Sequence, residues 1–388
     1  MSVILAVDIG GTKIAAARVD TDGRLSADRR DGAGGGLGAD GLHGGPGAGV
    51  VETPTPAREG AASVVEATVR LLESLRGAED EAVAISTAGV VDTVSGTVLG
   101  ATSSIAGWAG TPLGALVSAG VGLPTWVVGD GNAFGIGLAL EYGVSDLVAL
   151  VAGTGIGGSL IVGGEPVLGA HHAGGHLGHA VSLEAAGMVC PCGRIGHLEA
   201  VASGYGILAW YHARGGDPGV TTTRELLGRA GDDLAQAALS TGGSALGAAA
   251  GGLVNAFDPE LVVVAGSVAR AGDPWETALR AAYADTLLPA VAGTRLEVST
   301  SGPETALRGA AHHVRNRTSS TARHIRKQSA GAARDVQRQS GGVVRGVREQ
   351  GGGVVRDARE QGGAAVREVG RLGDGVASGV RRDGEGGA

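Results

Sequence analysis

Cysteine, lysine and aromatic side chains are scarce in this chain of 388 residues: two Cys, two Lys (Lys13 and Lys327), and 3% Phe, Trp and Tyr taken together. The cysteines, Cys190 and Cys192, flank a single proline, Pro191. A disulfide between residues i and i+2 is badly strained, so disulfide stapling is excluded and a reducing, cytoplasmic setting is expected. No hydrophobic run reaches the roughly 20 residues that span a bilayer. The opening MSVILAVDIGG lacks a basic leader and its apolar run stops at Asp8, which speaks against a signal peptide. With lysine almost absent, nearly all of the 31 basic residues are arginine; that bias reads as GC-rich coding rather than as function.

Glycine, in contrast, is abundant at 74 residues, and charge is unevenly laid out. From Arg315 onward 15 Lys/Arg stand against 8 Asp/Glu, a net +7, whereas the first 314 residues carry 16 against 31, a net −15. Residues 31–49, DGAGGGLGADGLHGGPGAG, cannot bury enough apolar area to offset their backbone entropy and read as a flexible loop, with His43 solvated. From Thr321 an 11-residue period appears (AARDVQRQSGG, VVRGVREQGGG, VVRDAREQGGA), with small apolar residues at its first, second and fifth positions and Arg prominent at the third. Eleven residues make three helical turns, but two or three Gly per unit cost about 1 kcal/mol each in a helix. Residues 315–388 are therefore expected to be a disordered low-complexity tail. Arginines interleaved with acids, and no aromatics, argue against nucleic-acid binding there.

The stretch His171 to Glu199 holds both cysteines and five of the ten histidines. Cys190-Pro-Cys192 followed by His197 suits a metal knuckle, because thiolate and imidazole together favour tetrahedral zinc. A structural site needs four donors, and His179 is the nearest candidate for the fourth. His171 and His172 read as exposed loop residues.

Along the chain, VILAV (residues 3–7) is a buried strand leading into Asp8-Ile9-Gly10-Gly11-Thr12-Lys13 and a second strand, IAAARVD. A Gly-rich turn lets backbone N–H groups approach a phosphate, and Asp8 beside it would hold Mg²⁺ through water; a plain hairpin turn is the alternative. It is not a Walker sequence. Residues 50–57 resume order, 61–75 carry an apolar stripe at helical spacing, AVAIS is a strand, and residues 113–123 form a short helix. TWVV (125–128) delivers Gly129-Asp130-Gly131-Asn132 to a helix start. Asp130 there is either a helix cap or a general base on a substrate hydroxyl, and spacing alone leaves both open. Residues 147–152 form a strand before a second Gly-rich turn, Gly153-Thr154-Gly155-Ile156-Gly157-Gly158.

DIGGTK, GDGN, GTGIGG and the Cys/His knuckle ending in GHLE, in this order, resemble the ROK family of repressors, open reading frames and sugar kinases over residues 3–313. The resemblance implies an α/β, two-lobed, actin-like (ribonuclease H-like) ATPase fold. The lobes are expected at 1–124 and 125–303, with a helix at 304–314 returning to the first lobe. It implies an ATP-, Mg²⁺- and zinc-dependent sugar kinase of glucokinase type, phosphorylating a hexose or N-acetylhexosamine at the 6-hydroxyl. By resemblance Asp8, Gly10, Gly11, Thr12 and Lys13 form the first phosphate loop, and Thr154, Gly155, Gly157 and Gly158 the second. Gly266 lies near the adenosine, and Asp130 is the catalytic base. Ser104, Asn132, His176, His179 and Glu199 would contact the sugar, while His179, Cys190, Cys192 and His197 would hold a structural zinc. His176 departs from the family's usual glutamate, Ser104 from an asparagine and His197 from a cysteine. A non-catalytic sugar sensor or a degenerate kinase is the alternative, although a first strand at residue 3 leaves no room for a helix-turn-helix. A homodimer is one assembly the chain admits.

Overall fold

The structure, a computed structural model, describes residues 3–26, 43–44, 49–102 and 104–318. The expected 31–49 loop falls mostly outside these residues, as does the repeat region from Thr321. His43–Gly44 is a two-residue strand rather than loop.

The first sheet has seven strands: β1 Val3–Ile9, β2 Lys13–Val19, β3 Leu25–Ser26, β4 His43–Gly44, β5 Val51–Pro54, β6 Asp80–Thr87 and, after the separate hairpin of β7 Val90–Asp92 and β8 Thr97–Gly100, β9 Thr125–Gly129. Their order is β4-β5-β2-β1-β6-β9, with β3 on β2. Helix α1, Ala61–Leu75, coincides with the apolar stripe in the sequence and buries Val64, Ala67, Leu71, Leu72 and Leu75 against one face. Helix α2, Leu113–Val121, packs beside it and ends at Gly122 in the left-handed conformation.

The chain leaves this sheet at Gly129 and becomes helix α3, Asp130–Tyr142. The second sheet follows: β10 Leu147–Ala152, β11 Ile156–Val162, β12 Glu165–Pro166, β13 Leu261–Ala265 and β14 Arg295–Val298, in the order β12-β11-β10-β13-β14. Its helices are α4 Glu199–Ala202, α5 Gly204–Ala213, α6 Thr223–Leu227, α7 Asp233–Phe257 and α8 Trp275–Thr286. Each sheet is built the same way. An antiparallel hairpin with a Gly turn (β1–β2, β10–β11) is extended on the first strand's other side by two parallel strands. This doubled α/β unit is the two-lobed, actin-like arrangement.

The expected boundary after residue 124 is corrected by the pairing: β9 aligns in parallel with β6, Val83 to Thr87 against Thr125 to Gly129, so the first sheet continues to Gly129. A buried run such as TWVV joins whichever sheet edge is open, which its own residues do not reveal. Among the described residues α7 alone is long and apolar enough to cross a bilayer, but 56% of its most apolar stretch is buried in the second lobe. It is a core helix, packed on α5 and α8.

Residues 303–318 form the last described helix, α9, longer at its end than the expected 304–314. Ala306, Leu307, Ala310, Ala311 and Val314 cover the back of the first sheet over Ile4, Ala6, Ala15 and Ala17. Polar contacts fasten it to both lobes. Arg315 donates to Val19 O at 2.6 Å, Arg308 to Gly23 O at 3.2 Å, and His313 lies 3.5 Å from Glu165 Oε2. Helices α3 and α9 cross backbone to backbone: a Cβ on Gly309 would overlap Ala133 O, and one on Gly137 would overlap Thr305 O. Gly309→Ala is therefore expected to destabilise the protein by about 1–3 kcal/mol or more through overpacking. Gly252→Ala in α7, whose Cβ meets nothing within 4 Å, should stabilise it by about 0.5–1 kcal/mol. Urea midpoints of the two variants shifting in the same direction would contradict this.

Candidate active site

The two hairpin turns are held from outside. In the first, Gly10 N–H donates to Lys13 O at 3.0 Å, and Thr55 donates through its hydroxyl to Gly10 O at 2.7 Å and through its amide to Thr12 O at 3.1 Å. Ser104 packs on Gly11, whose added Cβ would stand 3.1 Å from the serine Cβ. Lys13 is ion-paired with Glu52 at 2.5 Å, so its charge is already partnered. In the second turn Gly153 N–H donates to Gly155 O at 2.9 Å, and the start of α5 reaches it through Gly204 N–H to Gly153 O at 2.8 Å. Glu199 Oε2 accepts from Ile156 N–H at 2.7 Å and lies 2.6 Å from where a Cβ on Gly155 would be, so a side chain there would displace the carboxylate from this contact. Gly157 and Gly158 are in β11 rather than in a turn, because the register Val151 to Gly157 and Leu150 to Gly158 already belongs to the hairpin ladder.

Two carboxylates, one at the first hairpin and one beside β11, are close enough to feel each other's charge. Asp8 ends β1 and accepts a hydrogen bond from Ser86 Oγ at 2.6 Å. Burial pushes its carboxyl up to about 6, with the charge of Asp130 adding to this, while Ser86 and Lys13 pull the other way. Asp130 is also raised by burial, against the Gly131 N–H and the nearby His176. The cap of α3 is Gly129, and Asp130 is the first helical residue, its Oδ1 accepting its neighbour's N–H at 2.7 Å. Its carboxylate is thus not consumed as a cap, and it sits where the helix dipole favours negative charge.

The raised Asp8 has a stability consequence. Its folded pKa lies above the unfolded one, so ionisation opposes folding, on the order of 3 kcal/mol at pH 7, and this is relieved as pH falls from 7 toward 4. Asp8→Asn, which keeps an acceptor for Ser86, is expected to raise the urea midpoint at pH 7, with the gap to wild type narrowing by pH 5. A gap independent of pH would contradict the assignment.

The knuckle residues converge. Ligand atoms of His179, Cys190, Cys192 and His197 all lie within 4.8 Å of one another, with Cys190 Sγ 3.7 Å from His179 Nδ1 and Cys192 Sγ 3.2 Å from His197 Nδ1. A tetrahedral zinc with Zn–S of 2.3 Å and Zn–N of 2.0–2.1 Å places S and N roughly 3.6 Å apart, so the donor set fits such an ion. Burial, together with Cys192 and Glu199, pushes the Cys190 thiol up to about 12. Glu199 Oε1 is 3.6 Å from Cys190 Sγ, which ties the cluster to the second glycine turn.

Two cavities flank that turn. One of about 660 Å³ is bordered by Gly153, Thr154, Tyr205, Leu208, Arg270 and Val268; Gly266, at φ 103°, sits just before its Ser267 wall. The other, about 80 Å³, is bordered by Asp130, Asn132, Gly157, Gly158, His172 and His176. Asn132 Oδ1 is buried there without a partner among the described residues. Ser104, His179 and Glu199 do not line this smaller cavity: Ser104 belongs to the first turn, and the other two to the metal cluster and its link. His171 is exposed as expected, but His172 is not free in solvent: its Nε2 lies 3.5 Å from Asp92 Oδ1. Sequence reading also passed over Thr55, Ser86 and the α5–α6 wall of the larger cavity. The wall had a legible start in Ser203, whose hydroxyl caps α5 through Gly206 N–H.

The ROK family profile matches residues 4–317. An N-acetylmannosamine kinase of Shigella flexneri is 33% identical over 270 residues, 68% of this chain and 83% of that protein. Among solved structures, a ROK hexokinase from Thermus thermophilus superposes with a TM-score of 0.65 at 30% identity, covering 80% of this chain and 96% of the other. A ROK family glucokinase from Streptomyces griseus, in complex with glucose and AMPPNP, gives 0.61 at 27% identity, covering 80% and 98%. Paired lobes, facing glycine hairpins and the match across nearly all described residues make the same assignment: the chain belongs to the ROK family.

Proposed function

We propose that this protein is an ATP-dependent sugar kinase that transfers the γ-phosphoryl group to the 6-hydroxyl of a hexose or N-acetylhexosamine. One observation carries the reading: a single strand–turn segment borders both cavities. Gly153 and Thr154 face the larger, and Ile156, Gly157 and Gly158 the smaller, beside Asp130. A nucleotide in the larger cavity, with its base between Tyr205, Leu208 and Val268, would run its phosphates along this segment and end at the Asp130 carboxylate. The relatives supply the chemistry, being named kinases of N-acetylmannosamine and glucose.

In this reading Asp130 accepts the proton of the attacking hydroxyl as the new O–P bond forms and the bond to the ADP leaving oxygen breaks. Backbone N–H groups of the two glycine turns stabilise the phosphate charge. Asp8 would hold magnesium, which when bound neutralises charge on the β- and γ-phosphates. His179, Cys190, Cys192 and His197 would hold zinc in a structural role. Asn132 Oδ1, buried without a partner, and His176 are polar groups available to the acceptor. The cavity beside Asp130 is too small for a hexose as it stands, so the lobes or the 169–176 loop move to admit one.

The test is ADP formation in a coupled assay over glucose, N-acetylglucosamine, N-acetylmannosamine, fructose and allose. At least one sugar should stimulate turnover. If none does, the non-catalytic sensor reading replaces this one.

A further inference from the structure

We propose that His172 and Asp92 form a latch across the cleft, and that the other imidazole nitrogen of His172 reads the acceptor, making His172 a specificity-determining residue of the Asp130 pocket. The inference rests on the kinase reading for its selectivity half and on geometry alone for its latch half.

Three observations meet at this side chain. The residues come from different lobes: Asp92 ends β7 beside the first sheet, whereas His172 lies in the segment between β12 and His179 in the second. His172 Nε2 is 3.5 Å from Asp92 Oδ1, and Asp92 is itself fixed by Ser95 Oγ at 2.7 Å and Val94 N–H at 2.9 Å. Second, His172 adopts φ 56°, in the left-handed region that non-glycine residues seldom enter and that persists where surrounding contacts impose it. A solvated loop position would not require it. Third, Nδ1 is buried without a hydrogen-bond partner among the described residues, and the residue lines the same small cavity as Asp130, Asn132 and His176.

The chemistry follows from the tautomer. Ser95 and the Val94 N–H hold the Asp92 carboxyl below its usual range, so it is an anion facing Nε2. In the neutral imidazole an anion there favours the proton on Nε2 and leaves Nδ1 as a lone-pair acceptor. A buried acceptor without a partner discriminates strongly, because a ligand presenting an O–H or N–H satisfies it and one lacking that group leaves it orphaned. The ligand class is thus a sugar with a hydroxyl or acetamido N–H directed at this wall. Opening of the Asp92–His172 contact is the movement that enlarges the pocket for entry and release.

His172→Gly removes the imidazole and relieves the backbone conformation at once, so the fold is not put at risk. His172→Asn tolerates the same conformation and restores an acceptor. With wild type, each is assayed for kcat and KM over the sugar panel with ATP saturating, and for the KM of ATP. The expected result for His172→Gly is an acceptor KM about tenfold higher for the preferred sugar. The spread between sugars should contract, the KM for ATP should stay within twofold, and His172→Asn should recover part of the loss. Acceptor KM and ranking unchanged in an active His172→Gly enzyme would overturn the selectivity half and leave the kinase reading intact. The latch half is read without turnover. Hydrogen–deuterium exchange of the unliganded protein should quicken in both 90–95 and 169–176 for His172→Gly and for Asp92→Asn, and unchanged exchange in both segments overturns it. If wild type phosphorylates no sugar, the kinase reading falls and the selectivity half falls with it, while the exchange comparison still decides the latch.

Discussion

Asp130→Asn is expected to lower kcat for sugar phosphorylation by about 10²–10⁴-fold while leaving the KM values for ATP and sugar within a few fold, since a positioned general base contributes about that factor to the transition state and little to binding. Asparagine keeps the shape and still accepts the Gly131 N–H, but it cannot take the hydroxyl proton. The structure separates this from a structural role. The cap of α3 is Gly129, and among the described residues the Asp130 carboxylate makes no side-chain cap hydrogen bond; it accepts from its local backbone, at 2.7 Å from Gly131 N–H. A second readout comes with it: Asp130 adds to the elevation of Asp8, so Asp130→Asn should bring Asp8 down and make the unliganded protein more stable at neutral pH. A catalytic loss accompanied by a stability gain marks a pair of carboxylates held together for function. Full activity in Asp130→Asn would remove it from the mechanism.

Local chemistry was legible from sequence where a few neighbouring residues fix both backbone and function. The β1–β2 and β10–β11 hairpins lie where the glycine turns interrupt apolar runs, and α1 occupies the residues whose stripe has helical spacing. The Cys-x-Cys and its histidines were visible because four donors fall within nineteen residues, and their ligand atoms do meet. The second lobe's helical layer was not legible. Helix α7 is Ala- and Gly-rich nearly all round, so its sequence shows no polar face from which a period can be read. Its buried side meets α8 through glycines that allow close approach, such as Gly243 and Gly247. Nor was the sheet membership of β9, which depends on a long-range pairing with β6. His172 shows the same limit at the site: its partner Asp92 lies in the other lobe, far upstream, and nothing adjacent in sequence marks the contact.

Removing the metal donors is the other change expected to have a large effect, and its reach follows from what else orders the 176–199 segment. That segment contains two single-turn 3₁₀ helices and two isolated β-bridges, Val181 to His197 and Val189 to Ile195, and Val181, Leu183, Val189 and Ile195 are exposed rather than packed. Ala185 and Leu198 anchor the segment in the second lobe's core, with Leu177 and Met188 packed against that core; in the zinc reading proposed above, a cross-link through His179, Cys190, Cys192 and His197 would order the rest, as in small metal-folded modules. Without an ion the Cys190 thiol, pushed up to about 12, stays protonated at neutral pH and offers no charge to hold the loop. Cys190→Ser, or exhaustive chelation of wild type, is expected to cost about 3 kcal/mol or more, seen as a Tm lower by about 6 °C or more. The loss should not remain local. Glu199 spans from Cys190 Sγ at 3.6 Å to the Ile156 N–H at 2.7 Å, so a disordered knuckle releases the start of β11 and with it Gly157 and Gly158 beside Asp130. Acceptor KM should rise and kcat fall, while nucleotide binding, proposed above for the cavity bordered by Gly153, Thr154 and the α5 side, should persist. Glu199→Gln separates the two effects: it keeps the metal, read by elemental analysis at one ion per chain, yet weakens the link to the turn. Wild-type protein that binds no zinc when supplied with it, and whose Tm and acceptor KM Cys190→Ser matches, would show that these four side chains meet without holding an ion.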